Sequence, residues 1–302
     1  MRLGIDIGGT KINIGLVDDR NDLVAREKIY VAEISDLVFT LREAVNKLCN
    51  DLSISVDEIV SCGVGVPGTV SDDGRRLLKA PNISILSENV AEEIESALGI
   101  PTALIQDSRA AAWGEYLCGG GKGMSNIVCI TLGTGIGTGL VLNGRVYHGS
   151  LGCAGEMGHI PVVENGRKCG CGKSGCLEKY CAGGGLDITA GELLGNGRTA
   201  VDLFNAASGG NEDALMEIKK AVRLLGNAVV AVVNLLSPDC VLFSGGLSEQ
   251  TDLYLYPLID YVKEHCYSSG KIPRLEKASL GEDAPLVGAA LVWAERTNLP
   301  DA

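Results

Sequence analysis

The sequence predicts a duplicated α/β fold of two domains with a cleft between them. Three observations point to it. LGIDIGGTKINIGLVDDRNDLVAREKIYV, at the start, reads as strand, glycine turn, strand and a third strand. IVCITLGTGIGTGLVLNGRVYHG, near the middle, repeats that order. Each stretch is followed by helical segments and single strands, so a βββ-then-α/β pattern occurs twice.

Taken in order, Leu3, Ile5 and Ile7 alternate with Gly4, Asp6 and Gly8, the period-2 signature of a strand. KINIGLVD and LVAREKIYV continue the meander after the Gly8-Gly9-Thr10 turn. Leu37, Val38, Leu41, Val45 and Leu48 recur at helical spacing behind Asp36, which fits an N-cap. Ile59 to Val66 reads as a strand stopped by Pro67-Gly68, and 71–79 as a solvated loop. Val90 to Leu98 is a short helix closed by Gly99 and Pro101. Thr102 to Ile105 is a strand leading to Asp107, and Ala110 to Leu117 is helical. CGGGKG, 118–123, is the most linker-like point and sets the domain boundary. In the second half, Asn143-Gly144 marks a hairpin turn. A long helix runs from about Ala214 to Leu236 and stops at Ser237-Pro238. Asp239 to Phe243 is a strand ending in Ser244-Gly245-Gly246. A helix near 252–266, a strand near 274–280 and a helix from about Leu286 complete the chain.

The 302 residues suffice for two cores, and 46% hydrophobic with 21% charged residues describes a globular chain. The net charge of -12 opposes a nucleic-acid or polybasic-membrane partner but not a small phosphorylated ligand, which backbone N–H groups and Mg²⁺ can hold. No apolar run reaches membrane-span length, and the N-terminus carries no secretory pattern. The 11 cysteines are an odd number, and most of those outside 169–181 (Cys49, Cys62, Cys129, Cys240) fall in apolar runs. A reducing cytoplasm, without a disulfide framework, is the expectation.

Two glycine turns offer phosphate loops: Asp6, Gly8, Gly9, Thr10 and Lys11, and again Gly133, Thr134, Gly135 and Gly137. A turn between strands exposes N–H groups, and a missing Cβ lets a phosphate approach. Either alone could be an ordinary hairpin; recurrence at equivalent places favours function. Asp107 ends a strand and opens a helix, where a carboxylate can accept a proton. Local sequence alone favours an N-cap there. His159, Cys169, Cys171 and Cys176 supply one nitrogen and three sulfurs, a ligand set Zn²⁺ takes in closed structural sites, with Cys181 as a spare. Glu156 and Glu178 bracket this knot. Carboxylates beside a rigid loop suit paired hydroxyls of a sugar; a solvated surface is the plainer alternative.

IDIGGTK, GVGVPGTV, LGTGIGTGLVLNG, GEMGHIP, CxCGxxGCLE and FSGGL, in this order over nearly the whole chain, resemble the ROK family of repressors and sugar kinases. The resemblance implies an actin-like, ribonuclease H-like duplicated fold with domains of 1–117 plus about 285–302 and of 118–284, the second carrying the zinc loop. It implies transfer of the ATP γ-phosphate to a hydroxyl of a hexose-like sugar, with Mg²⁺, by a homodimer. Asp6, Gly8, Gly9, Thr10 and Lys11 with Gly133, Thr134 and Gly135 would hold phosphates and Mg²⁺, and Gly245 and Gly246 would lie against adenosine. Asp107 would be the base. Glu156, His159 and Glu178 would bind sugar hydroxyls, His159 also reaching zinc, and Gly65, Gly68 and Asn82 would complete the pocket. ROK glucokinases usually read Asn-Asp-Ala-Asn around the base; here it is Gln106-Asp107-Ser108-Arg109. Gln106 and Arg109 would then face the substrate and shift specificity towards allose, fructose, an N-acetylhexosamine or an inositol- or inosose-like ring. Two rivals are a sugar-sensing regulator, whose DNA-binding domain would find no room ahead of a loop beginning at residue 6 and for which the charge is unfavourable, and an ATPase that uses nucleotide only for shape change.

Overall fold

A computed structural model describes residues 1–79 and 85–297. The chain forms two compact units: Met1–Ser125 with Gly139–Ala154 and the stretch from Ser279, and Asn126–Thr138 with Gly155–Ala278.

The first unit opens with β1 (Arg2–Ile7), β2 (Lys11–Val17) and β3 (Leu23–Tyr30), an antiparallel meander. Helix α1 (Leu37–Leu52) follows, its start fixed by Asp36, whose Oδ1 accepts from the Phe39 N–H at 3.0 Å. Strand β4 (Ser61–Val66) then runs parallel to β1. The stretch read as a solvated loop instead folds back: β5 (Thr69–Val70) pairs with β6 (Leu77–Lys79) in a small ribbon. Three residues are too short for period-2 alternation to show. Helix α2 (Val90–Leu98) ends on left-handed Gly99, and β7 (Thr102–Gln106) leads directly into α3 (Asp107–Cys118). The sheet order is β3-β2-β1-β4-β7.

The second sheet starts with β8 (Ile127–Leu132), β9 (Ile136–Leu142) and β10 (Arg145–Val146), β9 and β10 being joined through Asn143 and Gly144, both at positive φ. Helices α4 (Glu178–Cys181), α5 (Gly183–Leu194), α6 (Ala200–Ser208) and α7 (Glu212–Leu236) come next, then β11 (Cys240–Ser244). The helix expected near 252–266 is a π-turn, Thr251–Leu255, running into α8 (Tyr256–His265), and the last strand, β12, is shorter than expected (Arg274–Lys277). The sheet order is β10-β9-β8-β11-β12. It matches the first strand for strand: in each sheet the first strand of the repeat pairs in parallel with a later strand (β4, β11), which pairs in parallel with the last (β7, β12). This is the duplication the two glycine-turn meanders predict.

Helices α9 (Ala284–Ala290) and α10 (Val292–Thr297) close the first unit. Leu3, Ile5 and Ile7 of β1 join Leu41, Val45 and Leu48 of α1 in one buried cluster. Gly4 points the other way, as alternation requires, and α9 packs there. The approach is so close that a Cβ on Gly4 or Gly63 would land on the α9 backbone, and one on Gly288 would land on Ala110 of α3. Trp113 of α3, fully buried, donates its indole N–H to the Leu291 carbonyl at 2.9 Å and pins the α9–α10 break. Among the described residues no helix is long and apolar enough to cross a membrane.

Candidate active site

In the first unit the parallel strands β1, β4 and β7 end along one edge of the sheet. Asp6 is in register with Gly65, and Gly65 with Ile105. Two strand spacings therefore separate Asp6 from Ile105, about 10 Å, and Asp107 lies two residues further on. Carboxyl ends of parallel strands are where open α/β sheets gather ligands. Asp107 is the first residue of α3, and its Oδ1 accepts from the adjacent Ser108 N–H at 2.6 Å. Gln106 stands in the N-cap place, and Asp107 is an acidic residue of the first turn.

Asp6 is half-buried and accepts from the Asn13 amide, Nδ2 to Oδ2 at 3.1 Å. Burial pushes its carboxyl above the ordinary value, while Asn13 and the Lys11 charge pull the other way. Gly8 closes the turn by donating to the Lys11 carbonyl, and Gly9 and Thr10 are exposed. The Lys11 ammonium lies 3.2 Å from Glu282, an exposed pair. A Cβ on Gly65 would sit 3.6 Å from Asp6 Oδ1, and Gly68 adopts a positive φ of 116°. Gln106 ends β7 opposite Val66. Arg109 is buried, and its guanidinium donates to His148 Nδ1 (3.1 Å) and to the carbonyls of Gly152 (2.7 Å) and Ala154 (3.2 Å). Asn82 lies outside the described residues.

The second unit holds the other loop and the knot. The Gly133 N–H donates to Gly135 O (3.1 Å), while Gly183 and Gly184, opening α5, donate to Gly133 O (2.8 Å) and Thr134 O (3.0 Å). Gly245 stands at φ 87° where a Cβ would strike the Leu132 backbone, so β11 ends against the root of this loop; Gly246 faces open space. The ligating atoms of His159, Cys169, Cys171 and Cys176 lie within 4.8 Å of one another. Cys171 Sγ is 3.6 Å from Cys176 Sγ, and Cys169 Sγ is 3.6 Å from His159 Nδ1. Tetrahedral zinc, with Zn–S of about 2.3 Å and Zn–N of about 2.05 Å, requires S–S near 3.8 Å and S–N near 3.6 Å. The donor set therefore fits. Burial raises the Cys176 thiol and pushes the Cys169 thiol up to about 12, whereas the Lys173 N–H lowers Cys171. A dication would turn all three into thiolates. Cys181 is not part of the knot: it is fully buried, and its thiol donates to Ala221 O.

The carboxylates flank the knot. Glu156 Oε2 is 3.8 Å from His159 Nε2, and Nδ1 is turned to the sulfurs. Glu178 Oε1 accepts from Cys169 Sγ at 3.1 Å. Sequence reading missed Asn13, His148 and Arg167. Only Asn13 left a trace there, as a polar residue facing Asp6 in the meander.

The ROK family model matches residues 2–296. The chain belongs to the ROK family. A glucokinase of Streptomyces coelicolor is 32% identical over 96% of both chains. An N-acetylgalactosamine kinase of Shewanella sp. is 30% identical over 97% of this chain and 96% of its own. The solved ROK family glucokinase of Streptomyces griseus, in complex with glucose and AMPPNP, superposes with a TM-score of 0.81 at 31% identity, over 96% of this chain and 98% of that one. The ROK protein described here has their actin-like fold and is an ATP-dependent sugar kinase.

Proposed function

We propose that this ROK kinase transfers the γ-phosphoryl group of ATP to a hydroxyl of a hexose-like sugar, with Asp107 as the general base. The observation that carries the assignment is the position of Asp107: first residue of α3, beyond β7, on the sheet edge where Asp6 also ends. In the reaction the Asp107 carboxylate accepts the hydroxyl proton. The freed oxygen pair bonds to the γ-phosphorus while the bridging oxygen leaves with ADP. The N–H groups of Gly9 and Thr10, with Gly133 to Gly135, hold the phosphates; Asp6 would hold the Mg²⁺ that comes with ATP, which would neutralise their charge. Glu156 and Glu178 accept hydrogen bonds from ring hydroxyls, and His159, whose Nδ1 faces the sulfurs, donates its Nε2–H to one. His159, Cys169, Cys171 and Cys176 hold structural Zn²⁺, which orders the loop carrying those three. Closure around the sugar excludes water and limits ATP hydrolysis.

The relatives named above act on glucose and on N-acetylgalactosamine, so the ring class is a hexose or an N-acetylhexosamine. Gln106 supports a substrate other than glucose: it carries one methylene more than the asparagine usual in ROK glucokinases. The test is ADP release across glucose, allose, fructose, N-acetylhexosamines and inositols. One strongly preferred hexose or N-acetylhexosamine is expected. ATPase activity that no sugar or polyol stimulates would overturn the reading.

A further inference from the structure

We infer that Arg167 is a positioning residue that couples the metal knot to the ATP-phosphate loop. The inference rests on the reading above, in which the knot holds zinc and Gly133 to Gly135 hold phosphate.

Arg167 sits two residues ahead of Cys169, at the root of the knot, where its carbonyl accepts from Gly175 N–H at 2.8 Å. Its guanidinium reaches out of the knot. Nη1 donates to the carbonyls of Lys179 (2.9 Å) and Gly185 (3.0 Å), and both Nη atoms reach Thr189 Oγ1 at 3.1 Å. Nη2 also pairs with Glu192 at 2.5 Å. The Tyr180 ring stacks under the guanidinium, 5.0 Å away, and the Tyr180 hydroxyl accepts from Arg167 N–H at 2.6 Å. The fork thus bridges the end of α4 and the first turns of α5. From there the next contacts are with the phosphate loop itself, through Gly183 N–H on Gly133 O and Gly184 N–H on Thr134 O. Glu178, the first residue of α4, also borders the loop: its Oε2 would lie 3.1 Å from a Cβ on Gly135.

A planar fork with several fixed acceptors transmits position in a way that a single charge does not. The carbonyls that Arg167 satisfies belong to the α4–α5 turn, whose two free ends are the knot and the loop. Ordering the knot therefore orders the loop, and the linkage is reciprocal: nucleotide must tighten metal retention by the factor by which metal tightens nucleotide.

The test titrates the zinc-loaded protein with a fluorescent ATP analogue, without sugar, and separately follows zinc extraction by a chelator with and without a non-hydrolysable ATP analogue. Arg167→Ala is expected to keep zinc stoichiometry yet raise the nucleotide Kd about tenfold, within the usual range of coupling between sites. Arg167→Lys should recover only part of that loss. In the unaltered protein the non-hydrolysable analogue should slow zinc extraction, and in Arg167→Ala it should not. Should Arg167→Ala fail to fold, Gly184→Ala presses on the loop from the far side, its Cβ landing 3.1 Å from Thr134 O, and should weaken nucleotide with zinc intact. Native nucleotide affinity in these variants, or extraction rates indifferent to the analogue, would overturn the coupling. Zinc content reports on the metal reading and nucleotide affinity at constant zinc reports on the coupling, so the two fail separately.

Discussion

Asn13 faces Asp6 across the β1–β2 ladder and donates its side-chain amide to Oδ2 at 3.1 Å. This bond opposes, without cancelling, the effect of burial, which holds the Asp6 carboxyl above its ordinary 3.8. The folded chain therefore binds that proton more tightly than the unfolded chain, and ν_N exceeds ν_U between the two values. The sign follows: as pH rises from 3.8 through the raised folded value, ionisation of Asp6 costs stability. We expect Asp6→Asn to remove this slope and to make the nucleotide-free protein more stable at neutral pH, while activity is lost. Thermal melts of both proteins between pH 4 and 8, in buffer free of Mg²⁺ and nucleotide, check it; parallel curves would refute it.

Asp107→Asn keeps the shape of the side chain and removes its basicity. Turnover should fall by about 10²- to 10⁴-fold, the range general-base groups contribute, with sugar and ATP affinities close to native. Steady-state kinetics alongside binding titrations separate the two. Native turnover would remove Asp107 from the reaction.

Arg109→Ala deletes three donors that serve His148 and the Gly152 and Ala154 carbonyls. Loss of hydrogen bonds from a buried charged group should cost roughly 1.5–3 kcal/mol in denaturant unfolding. Preference among sugars should flatten because the 148–154 segment loosens. A variant as stable and as selective as the parent would show that the clamp is idle.

Each chain should carry about one zinc, bound by one imidazole and three thiolates. Cys176→Ser removes a buried ligand and should drop the zinc content well below one and lower the melting temperature. Plasma emission analysis of protein purified without chelator decides this. A metal-free protein with unchanged melting would remove zinc from the account.

Gly63→Ala tests the close packing under α9. Its Cβ would fall on the Ala289 carbonyl, which cannot swing aside as a side chain could. Overpacking of this kind costs about 1–3 kcal/mol, readable in urea unfolding. An unchanged midpoint would mean that α9 has room to retreat.

The architecture was legible because it rests on repetition. Two meanders with the same glycine turns gave two sheets of one topology, and each apolar alternation in β1 and β2 became a buried face. The knot was legible for a related reason: His159, Cys169, Cys171 and Cys176 are close in sequence, so a few turns suffice to bring them together. What sequence hid are the long-range polar ties. Arg109 looked like a substrate contact, yet its guanidinium is engaged by residues 39 to 45 positions away. Glu115 drew no attention, although it is fully buried and accepts from the N–H groups of Gly120, Ser279 and Leu280. Neither leaves a periodic trace, because each depends on where a distant loop returns. The ribbon at Thr69 to Lys79 was missed because two short strands are too brief to show a period.

Helix α9 has one more consequence. It lies between the first sheet and α3, yet it is made some 280 residues after β1, which it covers. While the ribosome is still at work, β1 and β4 have one side bare, and the glycines that admit α9 leave a trough with nothing in it. The N-terminal half of this kinase therefore cannot mature in the order of its synthesis. It waits for a helix encoded far downstream, and a nascent chain halted before residue 284 should be cut by protease within β1 to β4, where a chain that includes α9 resists.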